Sequence, residues 1–249
     1  MKEAIRNTII LAVSAVTVHW LYVDFIRPKA NQLIDAAHSA GQSVPRDWVV
    51  VIKDWEQEIC IILMIYCIIQ ILIKLRNIAS EQYLFDVDLL EKENYTLGSD
   101  TLEKLESLPN DITSTQLVET LKSSLRRYSI TGDVQDTADA IQTSVESLTM
   151  QLEVENSTIR YLIWAIPSIG FIGTVRGIGQ ALSQADEALA GDITNMTASL
   201  GVAFNSTLVA LLASIVLMLF LHHLQRAQDR RIVDIRNYCE EFLVKRISR

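Results

Sequence analysis

The sequence predicts an all-α integral membrane protein: four transmembrane helices in two hairpins, with long cytoplasmic helical extensions. Three observations predict it. Apolar residues make up 49% of the 249-residue chain and gather in four runs, 8–26, 59–75, 161–181 and 200–221. Each run approaches or meets the roughly 20 apolar residues that a spanning helix needs. Between and after the runs, apolar residues recur at threes and fours with few breakers, the period of amphipathic helices. Basic residues also cluster on one set of flanks, as they do beside cytoplasmic membrane edges.

The first run follows Lys2 and Arg6 as a signal peptide would, but no small-x-small cleavage site precedes His19-Trp20-Leu21-Tyr22. It is therefore expected to stay as an anchor. A polar outside loop, 27–58, is punctuated by Pro28, Gly41 and Pro45, and Trp20, Tyr22, Trp48 and Trp55 are expected at the outer interface. Lys74 and Arg76 close the second run. Residues 76–160 read as a cytoplasmic helical region: a helix with a break at Gly98, a short helix, and a stop at Pro109. The next helix is expected to be capped by Ser114, with Leu117, Leu121 and Leu125 on one face. From Asp133 one long helix, striped by Ile141, Val145, Leu148 and Leu152, is expected to run unbroken into the third span. Ile232, Ile235, Cys239, Phe242 and Leu243 similarly extend the fourth span. The domain reading is an N-terminal hairpin (1–75), a cytoplasmic region (76–160), a second hairpin (161–224) and a C-terminal cytoplasmic helix (225–249).

The net charge of −8 is unevenly placed. Residues 177–199 hold no Lys or Arg, but do hold Asp186, Glu187 and Asp192. Past the fourth run come Arg226, Arg230, Arg231, Arg236, Lys245, Arg246 and Arg249. This places both termini in the cytoplasm and the 177–199 connection outside. Cys60, Cys67 and Cys239 have neither metal spacing nor a disulfide pattern, and are expected to be packed or lipid-facing. The four histidines form no ligand set, and His222 and His223 read as interfacial anchors. GFIGTVRGIG lacks the preceding strand and the G-K-[ST] of a nucleotide loop. No catalytic constellation appears, so neither an enzyme, a cofactor, a metal nor a nucleic-acid partner is expected.

The third run contains IPSIGFIGTVRGIGQAL, which combines a proline, four glycines, a threonine and an arginine in a membrane helix. Gly170, Gly173 and Gly177 share one face, bordered by Thr174, and such a face admits close approach of another backbone. The expected neighbour is a copy of the same helix, within a homo-oligomer, or the hairpin partner. Pro167 removes a backbone hydrogen bond and is expected to act as a hinge. On the fourth run Ser199, Asn205, Ser206 and Thr207 form a weakly polar stretch, so Thr174 and Thr207 are expected at comparable depth along a seam. Arg176 is expected to snorkel outward or to pair with Asp186 or Glu187. Neither the third nor the fourth run carries an Asp, Glu or Lys at mid-membrane, so a proton-carrying group would come from another chain.

IPSIGFIGTVRGIGQA, then a polar loop, then LGVAFNSTLVALLAS, resembles the MotA/TolQ/ExbB family of pore-forming subunits of ion-driven motors. Thr174 and Thr207 match the two family threonines, and Pro167 matches the proline that opens the first motif helix. The resemblance covers about residues 160–225. The four spans are similar to MotA, whereas the glycine motif is closer to ExbB/TolQ. Where ExbB-like members carry a glutamate five residues before the second threonine, this chain has Val202. The resemblance implies a homopentamer around two helices of a single-span MotB/TolR/ExbD-like subunit carrying a membrane Asp, in a bacterial inner membrane. It also implies an ion pathway at Thr174, Thr207, Asn205 and Ser206, with proton motive force driving a motor stator. The alternative left open is a non-conducting membrane scaffold that anchors a cytoplasmic helical bundle.

Overall fold

The computed structural model describes residues 2–40, 47–90 and 99–248. Among these, every regular element is helical. Helix α1 (Lys2–Leu21) passes through a π-helical turn (Tyr22–Ile26) into α2 (Arg27–Ser39). There follow α3 (Trp48–Val51), α4 (Trp55–Ser80), a 3₁₀ turn (Gln82–Phe85), α5 (Ser99–Glu106), α6 (Asn110–Thr113) and α7 (Gln116–Thr131). The chain ends with α8 (Val134–Ser183), α9 (Ala185–Leu189), α10 (Thr194–Cys239), a second π-helical turn (Glu240–Val244) and α11 (Lys245–Ile247). Four helical stretches, Ala4–Ala37, Trp55–Phe85, Val134–Ser183 and Thr194–Ile247, are long and apolar enough to cross a membrane. The chain is an all-α membrane protein.

Two compact units share the long helices α8 and α10. The first comprises Met1–Leu72 and Thr158–Leu221. Its N-terminal part packs Val18, Tyr22, Ile26, Ala30, Val49 and Val50 together. The first helix does not stop at Ile26 as expected but continues to Ser39. Pro28 has no N–H to give back along the helix. The π-helical turn just before it, where the Arg27 N–H reaches the Tyr22 carbonyl, absorbs that mismatch without ending the helix. Tyr22 is not at an interface: it is fully buried, whereas Trp20, Trp48 and Trp55 are exposed. Cys60 and Cys67, like Cys239 in the other unit, are buried thiols.

The second unit comprises Ile73–Ser157 and His222–Arg249. Its core draws Leu117, Leu121 and Leu125 from α7, Ile141, Val145 and Leu148 from α8, and Ile235, Cys239 and Leu243 from the C-terminal helix. These are the stripes that helical periodicity picks out. Two polar contacts tie this unit together: Asn156 Nδ2 donates to Gln228 Oε1 at 2.7 Å, and the Tyr238 hydroxyl donates to the Val87 carbonyl at 2.7 Å. Gly132 ends α7 with φ +65°, a left-handed conformation that glycine takes without cost. Two local expectations shift. Ser114 does not cap α7; Thr115 does, because residues 110–113 form a separate short helix that Ser114 closes. Pro109 starts that short helix rather than simply ending the one before. Gly98 lies outside the described residues.

Candidate functional site

The site lies in the first unit, where α8 and α10 run antiparallel. Glycines on one helix face small residues on the other. A Cβ added at Gly170 would come within 2.5 Å of Ala210 Cβ, and one at Gly177 within 2.6 Å of the Ala203 backbone nitrogen. One added at Gly173 would collide with Ser206 Cβ and Oγ. Real side chains do not tolerate such approaches, so the glycines set how closely the helices pack. Their neighbour is therefore the hairpin partner in the same chain, not a second copy.

At this close approach the hydroxyls of Thr174 and Thr207 hydrogen-bond each other. Thr174 Oγ1 also lies 3.1 Å from the Ala203 carbonyl and 3.3 Å from that of Gly170, and Thr207 Oγ1 lies 3.4 Å from the Gly170 carbonyl. Each hydroxyl has a single proton. Either Thr174 donates to a carbonyl and Thr207 to Thr174, or Thr207 donates to Gly170 and Thr174 to Thr207. The pair can thus hold its protons in two orientations. Both threonines are half-buried, leaving one side open. Ser206 is buried and donates to the Val202 carbonyl at 2.8 Å. Asn205 is half-buried and makes no side-chain hydrogen bond to a described residue.

Pro167 sits inside α8, and the helix continues through it. The carbonyl it leaves without a partner, four residues back at Ile163, accepts a hydrogen bond of 3.2 Å from the buried Ser214 hydroxyl on α10. The neighbouring helix thereby replaces the bond that proline removes, as backbone in lipid requires.

The sequence did not single out the N-terminus of α4, yet it reaches this seam. Glu56 and Gln57 are fully buried. Arg176 grips Glu56 with two bonds, Nε to Oε1 at 2.6 Å and a terminal nitrogen to Oε2 at 2.9 Å, so it turns to Glu56 and not to Asp186 or Glu187. Gly173 makes this possible: a Cβ there would stand 3.3 Å from Glu56 Cγ, so the bare helix face gives the carboxylate its space. Gln57 Nε2 donates to Ser206 Oγ at 3.2 Å, while Gln57 Oε1 and Asp54 Oδ2 are buried without a partner among the described residues. Beside this, Glu58 bridges His19 at 2.6 Å and Arg27 at 2.5 Å. The expectation that this chain brings no carboxylate to the seam holds for the third and fourth spans alone; the second span supplies one. The only sequence signal was WEQE opening an apolar run, a pattern that equally suits acidic residues in water at a helix N-terminus.

No group of three or more His, Cys, Asp or Glu capable of holding a metal occurs among the described residues. The seam is a polar string of Glu56, Gln57, Ser206, Thr207 and Thr174 between apolar helices. Such groups are costly in a membrane and mark pathways for ions or polar substrates. No curated protein and no solved structure matches the chain. A family model, that of the MotA/TolQ/ExbB proton channel family, matches residues 112–237, which take in the glycine-faced hairpin and the helices that flank it. Because that match spans just over half of the 249 residues, the chain belongs to the MotA/TolQ/ExbB proton channel family.

Proposed function

We propose that the chain is the pore-forming subunit of a proton-driven membrane motor. Five copies surround two single-span partner helices whose aspartates carry the proton, and both termini lie in the cytoplasm of a bacterial inner membrane. The observation that carries this reading is the Thr174–Thr207 hydroxyl pair, half-buried, with two proton arrangements, at the point where glycines draw two helices together. A partner carboxylate presented to its open side would find hydroxyls that can donate to it when charged and reorient once it is protonated. Asn205 and Ser206 support the pair, and Pro167 is where α8 bends as the partner turns. Glu56 and Arg176 hold the outer part of the seam at fixed charge, so that an ion meets a compensated field there.

One observation favours a scaffold that conducts nothing: each seam hydroxyl already has an acceptor inside the hairpin. Composition of the native complex separates the two readings. Affinity purification from membranes at native expression, followed by native mass spectrometry, should give five copies of this chain with a small protein of one apolar span beginning near an aspartate. Recovery of this chain with no such companion supports the scaffold.

A further inference from the structure

The second unit contains a cavity of about 340 Å³ to which the ion path gives no role. Ile78 and Phe85 form an apolar wall, and Arg226, Arg230 and Arg231 form a cationic one, with His223 beside them. Arg226 and Arg230 are exposed and have no ion-pair partner among the described residues. Arg231 differs: it is 8% exposed, is bound to Glu81, and its Nε is buried without a partner. A buried guanidinium N–H without an acceptor is a costly feature for a protein to keep, and this one borders a cavity large enough for a ligand.

Position along α10 identifies the ligand class. The apolar run of the fourth span ends at Leu221. At about 1.5 Å per residue, Arg226 lies about 7.5 Å and Arg230 about 13.5 Å further along the helix. The headgroup layer is roughly 5–8 Å deep on each side of the hydrocarbon, so Arg226 stands at headgroup level and Arg230 lies roughly 6 Å beyond it, within reach of a long side chain. Charge narrows the class. The guanidiniums of Arg226, Arg230 and Arg231 are set against the carboxylates of Asp234, which lines the cavity, and Glu81. Three guanidiniums against two carboxylates leave one net positive charge. A phosphodiester carries one negative charge, whereas a free phosphate monoester carries about −1.5 to −2. The apolar wall suits glycerol and the start of an acyl chain, which a soluble phosphate does not have.

We propose that this cavity binds the headgroup phosphodiester of an anionic phospholipid, in the leaflet on the C-terminal side of the fourth span. The site fixes the depth of α10 where that helix leaves the hydrocarbon. The proposal needs the chain to be in a membrane but not to conduct ions, so its failure leaves the motor reading standing.

The test is native mass spectrometry of the full-length complex in mild detergent, titrated with phosphatidylglycerol or phosphatidylcholine. The wild type should retain phosphatidylglycerol in preference to phosphatidylcholine. R226Q/R230Q should weaken phosphatidylglycerol binding by about tenfold or more, since hydrogen bonds to charged groups are lost. R236Q should leave it unchanged, because Arg236 lies outside the cavity and pairs with Glu240. Should the double variant be polydisperse, R226Q alone decides, with a smaller loss expected in the same direction. Equal binding of the two lipids by the wild type would overturn the proposal. So would wild-type affinity in R226Q/R230Q, or a loss in R236Q as large as in R226Q/R230Q. Displacement of the lipid by millimolar glycerol 3-phosphate would assign the site to a soluble phosphate and likewise overturn it.

Discussion

Arg176 and Glu56 illustrate what a buried ion pair does in this protein. Glu56 is wholly buried, while the Arg176 side chain is 30% exposed and rests against the Trp55 ring. Removing one partner of such a pair strands the other charge, at a cost of about 3–5 kcal/mol when the survivor is buried. The two single variants should therefore differ. Arg176→Gln strands the buried carboxylate and should destabilise strongly, whereas Glu56→Gln leaves an arginine that can still reach water and should cost less. E56Q/R176Q should recover much of the loss of R176Q. Thermal unfolding of the purified complex in detergent orders the three variants, and additive losses in the double variant would contradict the pairing. The sequence showed the residues of this pair but not the pairing. WEQE at a helix start looks the same whether its carboxylates face water or turn inward. The deciding fact, that Gly173 clears a space on a helix more than a hundred residues away, is tertiary. Tyr22 was misplaced for the same reason: an amphipathic ring near a span end fits an interface, and only packing shows it buried.

Among the elements, the α8–α10 hairpin was largely legible, because glycine spacing and helical period are local properties. What they could not supply was the identity of the neighbour, since a bare face accepts any close helix. The geometry makes a paired prediction. Gly173→Ala should destabilise by about 1–3 kcal/mol through overpacking against Ser206. Gly179→Ala, with nothing within 4 Å of the added Cβ, should be neutral or slightly stabilising. Apparent melting temperatures of the two variants check this, and equal shifts would show that the glycine face does not set the spacing. The proline follows the same logic. Ser214→Ala leaves the Ile163 carbonyl with no donor beside Pro167 and should cost about 1–3 kcal/mol in the same assay. An unchanged melting temperature would mean that water or a shift of the helix already serves that carbonyl. Helix ends were less legible than helices, as the start of α7 and the continuation of α1 into α2 show. Both turn on competition between neighbouring backbone bonds rather than on periodicity.

For the whole molecule, the central matters are which side each end faces and whether protons cross. All three native cysteines are buried, and burial pushes the Cys239 thiol up to about 12. A thiol in that state is silent on either side of a membrane, so Cys239 cannot report topology and added cysteines can be read without background. Leu189→Cys, at a position 87% exposed, should react with an impermeant maleimide on intact cells, and the exposed Asn237→Cys only after lysis. The opposite pattern would invert the assignment of sides.

Proton flux into vesicles holding the chain with the proposed single-span partner tests the central claim most directly. Thr174→Val and Thr207→Val keep the shape of the seam and delete one hydroxyl each. Losing a hydrogen-bonding group at a dry seam costs about 1–3 kcal/mol, which slows transit roughly ten- to a hundredfold when it falls on the barrier. Assembly should survive in both variants, and Asn205→Leu should lose less flux than either. The account predicts intact pentamers with flux reduced to that extent in both threonine variants; wild-type flux in both would show that the hydroxyls only hold the helices together and would contradict it.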